Sequence, residues 1–319
     1  MKLAVISHCA LGDFVLTTLP IVGGLRRKYP DAHIDVFTPN NSFHDLARYQ
    51  ANWTDGWICR TTRLPTLSAS YDHIYIIGGP ADAAAAFQGL PVTIVETSPP
   101  KDVHATIHAW DQVRELAGCI VEQPRIIFTE LDQVNYHFGD FMPRIVIHPG
   151  AGGRFKRWPH FRALVEKLDG DPTREITIVH GPGPGEDQLA WDIAQGRSQV
   201  NVRRFTHARE FAAFCADSEL YIGNDSGASH VAAATGCPCI ILYGPTDPDV
   251  WAPLNEKVFR LSAQWACVKH QHAELQPGVC DMCSSGDAAC SSGEPPCLKT
   301  IAPDTVYQEA MMIWELMNQ

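Results

Sequence analysis

Several loops in this 319-residue chain place glycines beside charged or hydroxyl side chains, at points where an apolar run ends and a helix-like pattern begins. The first such loop follows the apolar run Lys2–Ser7 and ends in Gly12 and Asp13. A carboxylate between a strand and a helix can act as a general base facing a ligand cleft. The alternative is that Asp13 only caps the helix. Gly12 would let the backbone pass close to a ligand.

A second loop, residues 148–159, combines Gly150 and further glycines with Lys156 between a strand-like run and a helix-like one. Backbone N–H groups and a helix N-terminus make an anion site, and a lysine adds positive charge. The sequence therefore predicts that Lys156 binds a diphosphate. A flexible surface loop with a solvated lysine is the other interpretation.

A third loop, residues 181–187, again follows a strand-like run and opens a helix. Glu186 stands where a dinucleotide fingerprint G-x-G-x-x-G has its last glycine, which argues against a nicotinamide oxidoreductase. A carboxylate at this position could accept hydrogen bonds from the ribose hydroxyls of a nucleotide. It could equally complement the dipole at the start of the helix.

The fourth loop, residues 223–230, gives the sharpest signal because Asp225, Ser226 and Gly227 stand at a predicted helix start. His230 lies four residues beyond Ser226 and so on the same helix face. The pattern predicts an anion site with a hydroxyl and an imidazole beside it. An isolated histidine in this place would otherwise be structural.

Downstream of the fourth loop, Thr246 lies in a proline-rich turn that also contains Asp247 and Asp249. The two aspartates spell D-x-D, which in some transferases holds a metal-bound diphosphate. A simple turn explains them more economically.

Apolar runs alternate with helix-like segments up to about residue 140, and the pattern restarts at residue 144. Such alternation predicts parallel, doubly wound α/β sheets, with a ligand cleft at the carboxyl ends of the strands. We therefore predict one domain over residues 1–140, a second over residues 141–302, and a closing helix over residues 303–319.

Composition narrows the class of protein. The chain has 25 basic and 36 acidic residues and a net charge of −11, with no basic patch that would favour nucleic acid. No apolar run approaches the roughly 18 residues of a membrane span, and the opening run is too short for a signal peptide. Cysteines scattered through apolar runs are typical of a reducing compartment, so we predict a cytoplasmic protein.

Residues 262–299 form a segment rich in cysteine, serine and glycine without periodicity. Its cysteines are Cys267, Cys280, Cys283, Cys290 and Cys297. Four thiolates can hold a structural zinc ion. Because the second pair of thiols is not spaced as C-x-x-C, thiols in a mobile loop are the alternative.

Taken together, these motifs resemble those of the bacterial lipopolysaccharide heptosyltransferases, glycosyltransferase family 9. The residues that carry the likeness are 225–234 with Gly244-Pro245-Thr246, Leu11-Gly12-Asp13 with Thr18-Leu19-Pro20, and His148-Pro149-Gly150 with Lys156-Arg157-Trp158-Pro159. They occur in the family's order and span most of the chain.

The resemblance implies an α/β GT-B fold, in which two Rossmann-like doubly wound domains face each other across a cleft. It implies an inverting, metal-independent transfer of heptose from ADP-heptose, with no cofactor, onto a lipopolysaccharide-core or related glycan. Asp13 matches the catalytic base and Lys156 the donor-phosphate lysine. Further donor-binding positions are Gly12, Gly150, Glu186 (or Asp187), Asp225, Ser226, Gly227, His230 and Thr246. The last helix is expected to pack back on the first domain.

Two other functions fit the same sequence features. A sugar-nucleotide epimerase of GT-B fold would need the donor but no acceptor. A non-catalytic sugar-nucleotide-binding protein should lack a base in the cleft. A lipid-linked acceptor would bring the chain to the inner membrane face, as a peripheral contact only.

Overall fold

Two parallel β-sheets organise the chain, one in each half. The computed structural model describes residues 1–38, 56–59, 71–80, 82–100, 102–113, 142–262 and 296–317, and the single positions Leu46, Leu116, Arg125, Ile126, Phe128 and Phe138. The predicted domain boundary at residues 140 and 141 lies outside these ranges and stays a prediction.

The first sheet has five parallel strands in the order β3-β2-β1-β4-β5. They are β1 (Lys2–Ser7), β2 (His33–Thr38), β3 (Gly56–Cys59), β4 (His73–Ile77) and β5 (Val92–Val95). The central strand β1 is a continuous apolar run with Leu3, Ala4 and Val5 fully buried, which is typical of a strand covered on both faces. Its neighbours are β2 and β4, so the chain reverses its direction of winding between β1 and β4.

The second sheet has six parallel strands in the order β11-β10-β9-β6-β7-β8. They are β6 (Arg144–His148), β7 (Glu175–His180), β8 (Val200–Arg204), β9 (Leu220–Asn224), β10 (Cys239–Tyr243) and β11 (Val258–Ser262). This is the strand order of a doubly wound nucleotide-binding sheet, with its switch point between β6 and β9. The second sheet therefore confirms the doubly wound arrangement expected from the sequence.

Helices connect the strands. In the first half, α1 (Leu11–Asp13) continues through a π-helical segment (Phe14–Thr18) into α2 (Leu19–Lys28), and α3 (Ala105–Asp111) follows β5. The second half contains α4 (Phe161–Leu168), α5 (Glu186–Ala194), α6 (Ala208–Ala216), α7 (Gly227–Ala234), α8 (Pro248–Trp251), α9 (Pro296–Lys299) and α10 (Pro303–Met317). None of the helices in the described part of the chain combines the length and the apolar character needed to cross a bilayer.

The last helix, α10, packs on the second half of the chain. Its buried side chains Val306, Ala310 and Ile313 belong to the core cluster of the second sheet, and the helix lies against α4. The expectation that this helix packs back on the first domain is therefore wrong. Its apolar stripe covers the face of the second sheet beside α4, because that face would otherwise be exposed to water.

The two halves touch directly at the carboxyl ends of their sheets. His104 Nε2, before α3, lies 2.7 Å from the carbonyl oxygen of Ala252, which follows α8. The Ile126 amide donates to the Ala234 carbonyl at the end of α7, at 2.8 Å. One core cluster contains buried side chains from both halves. The halves therefore share apolar packing beside the cleft.

Candidate active site

A cleft of about 400 Å³ opens between the carboxyl ends of the two sheets. It is lined by Ala10, Gly12, Asp13, Thr97, Ser98, Gly152, Gly153, Lys156, Asp225, Ser226, Gly227, His230, Thr246 and Trp251. The loops that supply these residues include those after β1 and β5 in the first half and those after β6, β9 and β10 in the second. The switch points of both sheets thus face the same space, where ligands of doubly wound sheets bind.

Asp13 is the acidic residue that the first half contributes to the cleft wall. It is the last residue of α1, whose N-cap is Ala10, so the alternative interpretation of Asp13 as the helix cap is wrong. The carboxylate accepts no hydrogen bond from any described residue. Burial raises the pKa of Asp13; the nearby Lys156 ammonium opposes that rise and the Asp225 carboxylate adds to it. No hydrogen bond within the described part of the chain therefore explains the position of this carboxylate in the cleft.

Lys156, Asp225 and Thr246 form a hydrogen-bonded group on the opposite wall. Lys156 Nζ lies 2.8 Å from Asp225 Oδ2, and the Thr246 hydroxyl donates to the same oxygen at 2.7 Å. Asp225 is buried, which alone would raise its pKa, but the charge of Lys156, the neighbouring His230 and these hydrogen bonds hold the pKa below its usual value. Lys156 keeps a quarter of its side chain exposed and faces the cleft, so its cation stays available to an anion.

Asn224 holds the lysine loop in place. This fully buried residue ends β9; its Oδ1 accepts from the Trp158 amide and its Nδ2 donates to the Pro149 carbonyl, both at 2.9 Å. The loop after β6 is thereby fixed against the end of β9. Sequence reasoning missed this role, although an asparagine directly before the aspartate of a strand-end motif was the available signal.

His230 lies one turn into α7 and forms a largely buried part of the cleft wall. Its Nε2 is 3.8 Å from Asp225 Oδ1, while its buried Nδ1 has no partner among the described residues. Burial lowers the pKa of His230 to about 4, although Asp225 acts in the opposite direction. The imidazole is therefore neutral near pH 7, and the positive charge of this wall comes from Lys156.

Two glycines allow the walls to approach each other. A Cβ on Gly12 would lie 3.1 Å from Cδ2 of His230, and a Cβ on Gly227 would lie 3.0 Å from the Gly12 nitrogen. Both distances are shorter than ordinary van der Waals contact, and in the second case the neighbour is backbone. The close contact between α1 and the start of α7 therefore favours glycine at both positions.

Gly150 and Glu186 lie beside the cleft but outside its lining. Glu186 Oε2 accepts a hydrogen bond from the Gly181 amide at 2.9 Å. A Cβ on Gly150 would lie 3.1 Å from the Glu186 carboxyl carbon. The structure therefore brings these two predicted residues together and places them next to each other at the edge of the site.

A smaller cavity of about 120 Å³ adjoins the cleft. Its lining is mainly apolar and includes Leu11, His148, Val179, His180, Gly181, Pro182, Phe205, Thr206, His207, Ala208, Phe211 and Ala228. Leu11 lies between two residues of the cleft wall, Ala10 and Gly12, and Ala228 directly follows Gly227. We call this space the second cavity; it continues the cleft along the ends of β6, β7 and β8.

Sequence reasoning missed three side chains of the cleft wall: Thr97, Ser98 and Trp251. Thr97 and Ser98 follow the end of β5 closely, and that position was a usable signal. Trp251 ends α8, on the loop that the His104 contact holds against the first half. Nothing in the local sequence distinguishes this tryptophan from a core residue.

The sequence suggested two metal sites, one at the D-x-D motif and one at the cysteine-rich segment. Asp247 caps α8 by accepting from the Asp249 amide at 2.9 Å, and Asp249 pairs with Arg260 at 3.0 Å, so the turn explains this D-x-D motif. Of the proposed zinc ligands, Cys267, Cys280, Cys283 and Cys290 lie outside the described residues, and Cys297 is buried in the second core. Within the described ranges, no three His, Cys, Asp or Glu side chains cluster closely enough to hold a metal.

Comparison with known proteins gives consistent matches. Residues 122–277 match the family model for glycosyltransferase family 9 (heptosyltransferase). The chain is 26% identical over 299 residues to lipopolysaccharide heptosyltransferase 3 of Escherichia coli, covering 80% of this chain and 86% of that protein. It is 33% identical over 124 residues to lipooligosaccharide heptosyltransferase 2 of Haemophilus influenzae, covering 36% of this chain and 35% of that protein.

Solved structures share the architecture. The E. coli ADP-heptose lipopolysaccharide heptosyltransferase II matches with a TM-score of 0.74 at 20% identity, over 100% of both chains. A family 9 glycosyl transferase from Veillonella parvula matches with a TM-score of 0.77 at 18% identity, over 99% of this chain and 97% of that one. These likenesses confirm the predicted GT-B fold.

Proposed function

Because the chain belongs to glycosyltransferase family 9, and is therefore a glycosyltransferase, we propose that it transfers heptose from ADP-heptose to a hydroxyl of a lipopolysaccharide-core glycan. The names of its relatives support the sugar and the acceptor class. One observation carries the proposal for this chain: the Asp13 carboxylate, which accepts no hydrogen bond from the described residues, shares one cleft with Lys156 and the start of α7. A base and an anion site in one space are what transfer from a nucleotide sugar requires.

In the proposed reaction, Asp13 takes the proton from the acceptor hydroxyl as that oxygen forms a bond to the anomeric carbon of heptose. The bond from that carbon to the diphosphate breaks on the opposite face, so the configuration inverts. ADP leaves with the bonding electron pair. Lys156 and the first amide groups of α7, at Gly227, stabilise the negative charge that develops. This route needs no metal ion.

The proposed donor position follows from the order of polar groups along the second sheet. The diphosphate lies between Lys156 and the N-terminus of α7, and the heptose faces Asp13. Glu186, at the edge of the cleft, accepts from the ribose hydroxyls. The purine then enters the second cavity, whose walls are mainly apolar. The acceptor lies on the first half, near Thr97 and Ser98.

Closure of the cleft would protect the donor from hydrolysis. The contact of His104 with Ala252 and the contact between Gly12 and Gly227 bring the halves together on two sides of the cleft. Excluding water strengthens the electrostatic interactions inside and limits transfer to water. We also propose that the protein reaches its acceptor from the cytoplasm, by peripheral contact with the inner membrane face.

A thermal-shift panel tests the donor proposal directly. ADP and ADP-heptose should raise the melting temperature of the wild-type chain more than UDP, GDP or UDP-glucose do, and this rise should be lost in Asp225→Ala. Asp249→Ala, an exposed aspartate outside the cleft, is the matched control and should keep the rise. A preference for UDP or GDP would refute heptose as the transferred sugar, and no response to any nucleotide would refute the proposed function.

The chemical product separates the proposal from its alternatives. A transferase joins labelled heptose from ADP-heptose to a core glycan and releases ADP. An epimerase would change the sugar with the nucleotide still attached, and a binding protein would leave the donor intact. Either of these outcomes, obtained with correctly folded protein, would refute the transferase mechanism.

The pH dependence of transfer should reflect the raised pKa of Asp13. A general base acts only when ionised, so kcat/KM should fall as the pH decreases through a value above the ordinary carboxyl pKa of about 3.9. Because the Lys156 charge lowers the pKa of Asp13, Lys156→Gln should move this acid limb to higher pH. The measurement is a kcat/KM profile from about pH 4 to 8. An acid limb that stays in place or moves down in Lys156→Gln would argue against Asp13 as the titrating base.

A further inference from the structure

Two buried histidines at the ends of neighbouring strands form part of the wall of the second cavity. His180, at the end of β7, has its Nδ1 at 3.0 Å from the carbonyl oxygen of Gly181. A carbonyl can only accept, so Nδ1 carries the proton of this hydrogen bond. In a neutral imidazole the other nitrogen, Nε2, is then an acceptor. This Nε2 makes no hydrogen bond within the part of the chain that the structure describes. It is also not one of the buried side-chain atoms that lack a hydrogen-bond partner, so it remains open to a ligand.

His148, at the end of β6, adds a second unused polar group. Burial lowers the pKa of His148 to about 4, so the ring is neutral near pH 7. Its buried Nδ1 has no partner among the described residues. Around the two rings the cavity is lined by apolar side chains such as Leu11, Phe205 and Phe211. His148 Nδ1 is buried away from the cavity space, whereas His180 Nε2 is not, so His180 Nε2 is the acceptor that this mainly apolar wall offers to a ligand.

We propose that His180 selects a 6-aminopurine in the second cavity, by accepting a hydrogen bond at Nε2 from the exocyclic amino group of the base. This inference rests on the proposed function, which puts the base of the donor in this cavity. A 6-oxopurine would set a carbonyl lone pair against the lone pair of Nε2, so both acceptors would lose water without gaining a donor. The Gly181 carbonyl fixes the tautomer and thereby the preference.

Calorimetric titration tests the inference with three nucleotides that carry an amino group, a hydrogen or an oxo group at position 6 of the purine: ADP, purine riboside diphosphate and IDP, of which IDP also has a proton on N1. The wild-type chain should bind ADP most tightly and IDP most weakly, with a difference on the order of tenfold to a hundredfold. In His180→Asn the amide nitrogen can still donate to the Gly181 carbonyl, but no acceptor remains at the Nε2 position. This variant should bind ADP and IDP with nearly equal Kd.

His33→Asn is the matched control, because His33 is partly exposed on the first sheet and lines neither the cleft nor the second cavity. It should keep the wild-type preference for ADP. Equal binding of ADP and IDP by the wild-type chain, or an undiminished preference in His180→Asn, would overturn the inference and leave the proposed function standing. If the wild-type chain binds none of the three, the proposed function and the inference both fail.

A spectroscopic measurement covers the case in which His180→Asn does not fold. The nitrogen-15 resonance of His180 Nε2 in the wild-type chain should move toward the hydrogen-bonded range when ADP is added, and should not do so with IDP. The same change with both nucleotides, or with neither, would overturn the inference.

Discussion

Asp13→Asn should lower kcat for heptosyl transfer by about 10²–10⁴-fold, the range that positioned general bases contribute. The asparagine side chain has the same shape but cannot take up the proton of the acceptor hydroxyl. Binding of ADP should be kept or become slightly tighter, because the change removes a negative charge close to Lys156, where the diphosphate is proposed to lie. The measurements are single-turnover transfer with saturating donor and a separate ADP titration.

Asp249→Asn is the control for Asp13→Asn, since this aspartate is exposed and paired with Arg260 outside the cleft lining. It should transfer at the wild-type rate. Full transfer activity in Asp13→Asn would remove Asp13 from the mechanism. A loss of ADP affinity as large as the loss of kcat would instead make Asp13 a binding residue.

The central strands could be predicted from sequence because each is a short apolar run that ends in a turn. β1 and β6 were located in this way, and both lie in the middle of their sheets with parallel neighbours on each side. The edge strands β8 and β11 were missed. Val200–Arg204 alternates apolar and polar residues and ends in two arginines. An edge strand tolerates such residues because it is less covered by neighbouring elements than a central strand. Such a segment resembles a loop when only its hydrophobicity is considered.

The motif residues of the site could be predicted because strand ends and helix starts carry recognisable chemistry. The structure brings Asp13, Lys156, Asp225 and Thr246 into one cleft, as the sequence suggested. What the sequence could not give is the relation between loops that are far apart in the chain. The Asn224 bridge and the facing glycines of α1 and α7 depend on how the two sheets meet, which local patterns do not encode.

The position of α10 is another long-range relation that local sequence patterns do not encode. Its periodicity identified a helix with one apolar face, and the structure confirms that helix at Pro303–Met317. An apolar stripe in the sequence does not indicate which sheet the helix will cover. The helix packs beside α4 on the second sheet, and the apolar surface available there depends on the folded domain.

Lys156→Met should lower kcat by about 10²–10³-fold, the cost of removing one group that stabilises charge in a transition state. Methionine keeps most of the apolar stem but cannot neutralise the leaving diphosphate. ADP should also bind more weakly. The same change removes the nearest cation from Asp225, a buried carboxylate that accepts from Lys156 at 2.8 Å. We therefore expect a loss of about 1–3 kcal/mol in the free energy of unfolding at neutral pH.

The pH dependence of this loss identifies its cause. In the wild-type chain the pKa of Asp225 is held low, so its contribution to stability is present above about pH 3.9 and is lost as the pH falls through the lower folded value. Without Lys156, burial dominates and the pKa of Asp225 rises. The variant should then be most destabilised at neutral pH, and its deficit should shrink as the pH decreases toward 4. Urea unfolding of both proteins at several pH values measures this.

Combining Lys156→Met with Asp225→Asn separates the structural from the catalytic role of the lysine. At this position the double variant leaves no buried carboxylate without its lysine, and the carbonyl oxygen of the introduced asparagine can still accept from Thr246, so most of the lost stability should return. Transfer should not return, because the anion site still has no lysine. Recovery of transfer together with stability would mean that Lys156 acts only by holding Asp225, and that the charge of the leaving diphosphate is stabilised mainly by the amide groups of α7.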